Sequence, residues 1–183
     1  IFEAHPAPAP APHPLEPLEN FQPNDIARLA RADIIASVQP RHITLDPGGP
    51  ERDLGPERVP YMWPFRTLLD SGATLAFGTD SPVTDIDPID AVYTAVTRRD
   101  ADTHEPLGGW LPEERITLAE ALRAYTAGSA AAAQRADELG QLAPGMFADI
   151  TVLSPNPFKL APDDLQQAKV QATYVAGKKA YER

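Results

Sequence analysis

Among the residues that can carry chemistry, Asp80 comes first. It stands in Gly78-Thr79-Asp80-Ser81-Pro82, directly after the apolar run Thr74-Leu75-Ala76-Phe77. A carboxylate at such a point can ligate a metal, act as a general base, or cap the following turn through its side-chain oxygen. Spacing alone leaves the three open. The histidines are His5, His13, His42 and His104. None forms a His-x-His pair or a His-x-x-x-His helix face, so no self-contained metal cluster is visible. His42 follows the run Ile34 to Val38 in Gln39-Pro40-Arg41-His42. It reads either as a surface or hydrogen-bonding histidine or as a contact to substrate or metal. His5, His13 and His104 fall in proline-rich or polar stretches and are expected to be solvated. Asp85, Asp87 and Asp90 are spaced for capping a helix start rather than for calcium. The sequence has no cysteine, which removes disulfides, Cys-ligated zinc, Fe–S clusters and thiol nucleophiles. It has no glycine-rich phosphate loop and no Gly-x-Ser-x-Gly elbow.

The scaffold around these residues is read from periodicity and punctuation. Ile26, Leu29 and Ala30 predict a short helix over 24–32, and Ile34 to Val38 a buried strand. Residues 46–60 read as a long loop. A helix over 63–71 is stopped by Gly72, and Thr74 to Phe77 form a second strand. Ile89, Val92, Tyr93 and Val96 predict an amphipathic helix from Pro88, with Asp87 as its cap. Thr117 and Glu120 make a capping box for the next helix, and Gly128 breaks or kinks the alanine-rich segment after it. After Gly140 the pattern turns to strands at 150–153, 170–176 and 178–181. No repeat is present. Strand, helix and strand in series imply a parallel sheet, whose carboxyl ends bind ligands. Asp80 and His42 both lie at such ends.

The chain has 183 residues and a formal net charge of −10. That is one domain or one plus a small appendage, and the acidity argues against nucleic acid as partner. No apolar run reaches the roughly 18 residues of a membrane span. With no signal-peptide layout at the start, a cytoplasmic address is expected. Seven of the 21 prolines fall in the first 23 residues. Residues 1–23 therefore read as a proline-rich extended arm, either a disordered linker or bait for an adaptor. The chain starts at Ile1 rather than Met and reads as processed, trimmed or a fragment.

Taken in order, Gln39-Pro40-x-His42, Gly55-x-Glu57-Arg58, Phe77-Gly78-Thr79-Asp80-Ser81-Pro82-Val83, Thr97-Arg98-Arg99, Tyr125-Thr126 and Gly140-x-Leu142-x-Pro144-Gly145-x-x-Ala148-Asp149 resemble the C-terminal part of the amidohydrolase superfamily. The narrower match is to family 3 (the YtcJ-like group), over roughly residues 15–183. The resemblance implies an α/β fold: the last strands and helices of a metal-dependent (β/α)₈ TIM barrel at 24–139, followed by a small β-sandwich segment at 140–183. It implies hydrolysis of non-peptide C–N amide bonds in small molecules, and a divalent metal, zinc by usual preference. Asp80 matches the family's aspartate after barrel strand eight, which contacts the metal and moves a proton from water to the leaving nitrogen. His42 matches a position after strand seven and is carried over as a substrate contact.

The departures shape the expectation. The family's N-terminal His-x-His pair, its bridging residue and its strand-five histidine have no counterpart here. Where the family has an Ile-Glu-His metal strand, this sequence has Leu15-Glu16-Pro17. One carboxylate cannot hold a divalent ion against water, since three or four ligands are needed. The chain alone is expected to bind metal poorly and to be inactive. Alternatives are a non-catalytic interaction module using the proline arm, or one chain of a split hydrolase. A partial barrel should leave the stripe Ile89, Val92, Tyr93 and Val96 partly uncovered, with marginal stability or self-association into a homo-oligomer, or a need for a complementing chain.

Overall fold

The computed structural model describes residues 12–183. His5 and the Ala-Pro alternation of residues 4–11 lie outside that range. Two three-stranded sheets organise the rest. The first is parallel, with β1 (His13–Leu15), β2 (Ile34–Val38) and β3 (Thr74–Phe77) side by side in that order. All five residues of β2 are buried, as expected for the centre of a parallel sheet covered on both faces. The register pairs His13 with Ile34, and Val38 with Phe77. The second sheet is antiparallel, built from β4 (Ile150–Ser154), β5 (Lys169–Val175) and β6 (Lys178–Glu182).

Helices pack on the parallel sheet. α1 (Pro23–Arg31) starts with a proline at its first position and buries Ile26 and Leu29. α3 (Phe65–Asp70) buries Phe65 and Leu68 against the same core. The Asp87 carboxylate accepts a 2.8 Å hydrogen bond from the Ile89 amide at the start of α4 (Pro88–Thr97), satisfying one of the free amides of the first turn. α4 ends at Arg98, whose backbone is left-handed. The Arg98 guanidinium is fully buried. It donates to the Trp63 and Trp110 carbonyls at 2.9 and 3.0 Å and lies over the rings of Phe65 and Trp110. Burial pushes its pKa down to about 10. α5 (Leu118–Arg123) carries the complete Thr117–Glu120 capping box. The chain then passes through a π-helical turn at Ala124–Gly128 into α6 (Ser129–Ala132).

Several expectations need correction. The proline-rich stretch is not an arm throughout, because Pro14 sits in β1, and His13 is half-buried in that strand rather than solvated. Proline is tolerated there because a short first strand can spare an amide donor. Residues 46–60 are not a bare loop: they contain α2 (Gly49–Leu54) and a 3₁₀ turn at Val59–Tyr61, each opened by a proline. The stripe on α4 is mostly covered. Ile89, Val92 and Tyr93 are buried and Val96 is half-buried, and Leu165, from a 3₁₀ segment at Pro162–Gln167, packs on Tyr93 and Ala101. The region after residue 140 is therefore not strands alone. Finally, His104 is no solvated loop residue: its Nε2 lies 3.0 Å from the Gln166 oxygen and its ring 5.3 Å from that of Tyr93.

Candidate functional site

The carboxyl ends of β1, β2 and β3 bring three stretches together. After β2 the chain enters a 3₁₀ turn, Pro40–Thr44. The turn is held from behind, because Arg41 donates to Asp102 at 2.8 Å and Thr44 to Asp100 at 2.8 Å. These bonds leave the His42 ring, nine-tenths buried, facing the other strand ends. Its Nδ1 lies 2.5 Å from Glu19 Oε1. A carboxylate only accepts, so Nδ1 carries the hydrogen of this bond, and in the neutral ring Nε2 keeps its lone pair. That Nε2 is buried and has no hydrogen-bond partner among the described residues. It lies 3.9 Å from Asp80 Oδ2.

Asp80 follows β3 in a left-handed backbone conformation, φ 55°, which aspartate tolerates better than most residues. The turn around it is closed without its side chain. The Val83 amide donates to the Asp80 carbonyl at 2.8 Å, and Thr84 Oγ1 donates to the Thr79 carbonyl at 2.5 Å. The Asp80 carboxylate makes no hydrogen bond among the described residues, and its side chain is half exposed. Capping therefore does not account for this carboxylate.

The π-helical turn braces the end of β3. Tyr125 donates through its hydroxyl to the Gly78 carbonyl at 3.4 Å, and Ser129 Oγ donates to the Phe77 carbonyl at 2.9 Å. Burial, aided by the charge of Asp87, pushes the Tyr125 phenol well above its usual range. Gly128 lies so close to Leu75 that a β-carbon there would fall 2.0 Å from its carbonyl oxygen.

Sequence reasoning placed Asp80 and His42 at strand ends, and the structure brings these two together. It missed Glu19. The adjoining Glu16 accepts from Gln39 Nε2 at 2.7 Å, so the carboxylates after β1 reach the residues after β2. The missed signal is the spacing itself, two glutamates three residues apart beyond a strand that the prolines concealed. Asp87 caps α4, and Asp85 accepts from its neighbour's amide, as their spacing suggested. Asp90 instead accepts from Gln166.

Could these residues hold a divalent ion? His42 Nε2 and Asp80 Oδ2 converge as an unpartnered donor pair, with Glu19 behind the imidazole in the manner of an outer-shell carboxylate. Among the described residues no group of three or more His, Cys, Asp or Glu side chains is arranged so that it could hold a metal ion. Pro17, after β1, offers no side-chain donor. Two ligands do not make a closed site, so the donor set of this chain by itself does not fit a tightly held metal.

Comparison with known proteins extends this picture. The model of the amidohydrolase family matches residues 2–181. The protein LONG AFTER FAR-RED 3 of Arabidopsis thaliana is 39% identical over 91% of the chain and 28% of its own length. The putative amidohydrolase YtcJ of Bacillus subtilis is 32% identical over 86% of the chain and 30% of its length. The N-substituted formamide deformylase of Arthrobacter pascens is 35% identical over 67% and 22%. Among solved structures, a metal-dependent hydrolase of Pyrococcus horikoshii superposes with a TM-score of 0.65 at 32% identity, over 74% of this chain and 27% of that one. A zinc-bound adenosine deaminase of Xanthomonas campestris, at 22% identity, shares the fold with a TM-score of 0.60 over 88% and 35%. The chain thus spans less than a third of the length of the curated relatives it matches.

Proposed function

Since the chain belongs to the amidohydrolase family, we propose that it forms the C-terminal portion of a metal-dependent hydrolase that cleaves non-peptide C–N amide bonds in small molecules. In this reading β2 and β3 are the last two strands of a (β/α)₈ barrel and residues 140–183 belong to a β-sandwich segment. The barrel-like region runs from β1 to residue 139. Asp80 takes a proton from the attacking water and delivers it to the leaving nitrogen, and would contribute to a metal site, while His42 contacts substrate. The remaining ligands lie outside this chain, in the same polypeptide or in a complementing one, and the isolated chain is inactive. Zinc is the metal of choice for a His and carboxylate donor set. The absence of cysteine fits a cytoplasmic address. No helix of the described residues is long and apolar enough to cross a membrane.

One observation carries the proposal: the unpartnered His42 Nε2 stands 3.9 Å from an Asp80 carboxylate that serves no turn, at the carboxyl ends of adjacent parallel strands. Parallel-sheet enzymes assemble their chemistry at that end. The test fuses this chain, carrying Pro17→His, in place of the corresponding segment of the B. subtilis relative, and follows hydrolysis of N-substituted formamides and N-acyl amides with zinc. The fusion is expected to turn over, the separate chain is not, and Asp80→Asn should lower the fusion's rate by about 10² to 10⁴. Turnover by the separate chain would overturn its incompleteness. A fusion indifferent to Asp80→Asn would overturn the role of that carboxylate.

A further inference from the structure

One cavity opens beside His42, and a second adjoins it. The first, of about 370 Å³, has Glu19 and His42 in its wall together with Leu45, Leu54, Met62 and Trp63. The second, of about 520 Å³, is walled by Ile43, the prolines 47, 50 and 106, and Trp110. The two share Ile43, Asp46 and Pro50, so α2 and the turn before it roof both. Either cavity is large enough for a small organic molecule. The two tryptophans of the sequence stand one in each wall and touch edge to face, with ring centres 5.9 Å apart. The Trp63 indole N–H is buried and lacks an acceptor among the described residues.

The charge of the walls is one-sided. Glu19, Asp46, Glu51, Asp53, Asp100 and Glu105 line the pair of cavities, and neither wall includes a lysine or arginine. Arg52 offsets Asp46 and Asp53 from the exposed side. Glu51 and Glu105 pair with no basic side chain among the described residues. A mostly apolar cavity with aromatic walls and uncompensated carboxylates attracts an apolar body that is neutral or positively charged, and repels an anion of the same shape.

We propose that this double cavity is the substrate-binding site for the amide's apolar substituent, and that it selects neutral or cationic aryl amides against carboxylate-bearing ones. The word substrate rests on the hydrolase reading above, whereas the binding preference does not. The test therefore reads binding without turnover. The ¹⁵N-labelled full chain is titrated with acetanilide, 4-(aminomethyl)acetanilide and 4-acetamidobenzoate, following the two indole N–H signals. Both signals should shift with the neutral and the cationic ligand, and the anion should bind at least about tenfold more weakly, or 1.4 kcal/mol. Glu51→Gln and Glu105→Gln, two exposed positions whose loss does not threaten folding, should each weaken the cation several-fold and leave acetanilide unchanged. Equal or tighter binding of the benzoate would overturn the proposal, as would indole signals that move with none of the three ligands at millimolar concentration. An inactive fusion protein beside selective binding here would instead count against the hydrolase reading alone.

Discussion

Glu19, His42 and Asp80 form a line of carboxylate, imidazole and carboxylate, and the order matters. Glu19 fixes the hydrogen on Nδ1, and its own place is fixed in turn: the Trp63 amide donates to the Glu19 carbonyl at 2.7 Å. The consequence is that in the neutral ring the lone pair sits on Nε2, the nitrogen that lies 3.9 Å from Asp80. Replacing Glu19 by Gln supplies an amide that can accept or donate, which removes the bias. Long-range ¹⁵N–¹H spectra of the His42 ring should show the Nδ1–H tautomer alone in the parent and a mixture in Glu19→Gln. An unchanged tautomer in the variant would mean that Glu19 does not set it. Asp80 and His42 were legible in the sequence because each follows a short β-branched or apolar run and a turn signal. Glu19 was not legible, since its strand contains Pro14 and follows an alternating Ala-Pro stretch, a composition that speaks for an extended arm rather than a sheet.

At the scale of elements, the pieces that hold the site are small and locally encoded. The Thr117–Glu120 box was readable from spacing alone, and its Glu120 also takes two bonds from Arg66, at 2.7 and 3.2 Å. Arg66, together with the Thr117 donors, outweighs burial and holds the Glu120 carboxyl at about 2, against an ordinary 4.5. A depressed carboxyl pKa stabilises the fold above the unfolded value and loses that contribution as pH falls from about 4.5 toward 2. Urea denaturation across that window should show the parent losing stability with acid, and Glu120→Gln losing less of it. At neutral pH, Thr117→Ala should cost about 1 kcal/mol. The π-helical turn was not readable: Gly128 suggested only a break. Its reason is tertiary, because the backbone at 128 lies against Leu75, where a β-carbon has no room. Gly128→Ala should therefore destabilise by about 1 to 3 kcal/mol, seen as a lower thermal midpoint. A midpoint equal to the parent's would show that the contact yields easily. Residues 46–60 escaped sequence reading because helices of one turn or two carry too few apolar positions to show a period.

Across the whole molecule, the 3₁₀ segment at Pro162–Gln167 is tied by side chains to α4 and the loop after it. Gln166 donates to Asp90 of α4 at 2.7 Å and to the Ala101 carbonyl at 2.9 Å, and Arg99 meets Asp163. The C-terminal region thus buttresses the helix and loop that hold Arg41, and through it the turn that carries His42. The α/β class and the order of most elements could be read from periodicity and motif order, whereas these joints join residues more than sixty positions apart and leave no local pattern. At the strand ends, Pro17 stands after β1 without a side-chain donor, and a divalent ion needs three or four protein ligands. The most direct measurement is zinc binding by equilibrium dialysis, comparing the parent with Pro17→His and with Pro17→His combined with Asp80→Asn. The account predicts no stoichiometric zinc at micromolar concentration in the parent, a gain of at least about tenfold in affinity, or 1.4 kcal/mol, with the new histidine, and loss of that gain with the asparagine. Stoichiometric zinc in the parent, or a Pro17→His gain that survives Asp80→Asn, would contradict it.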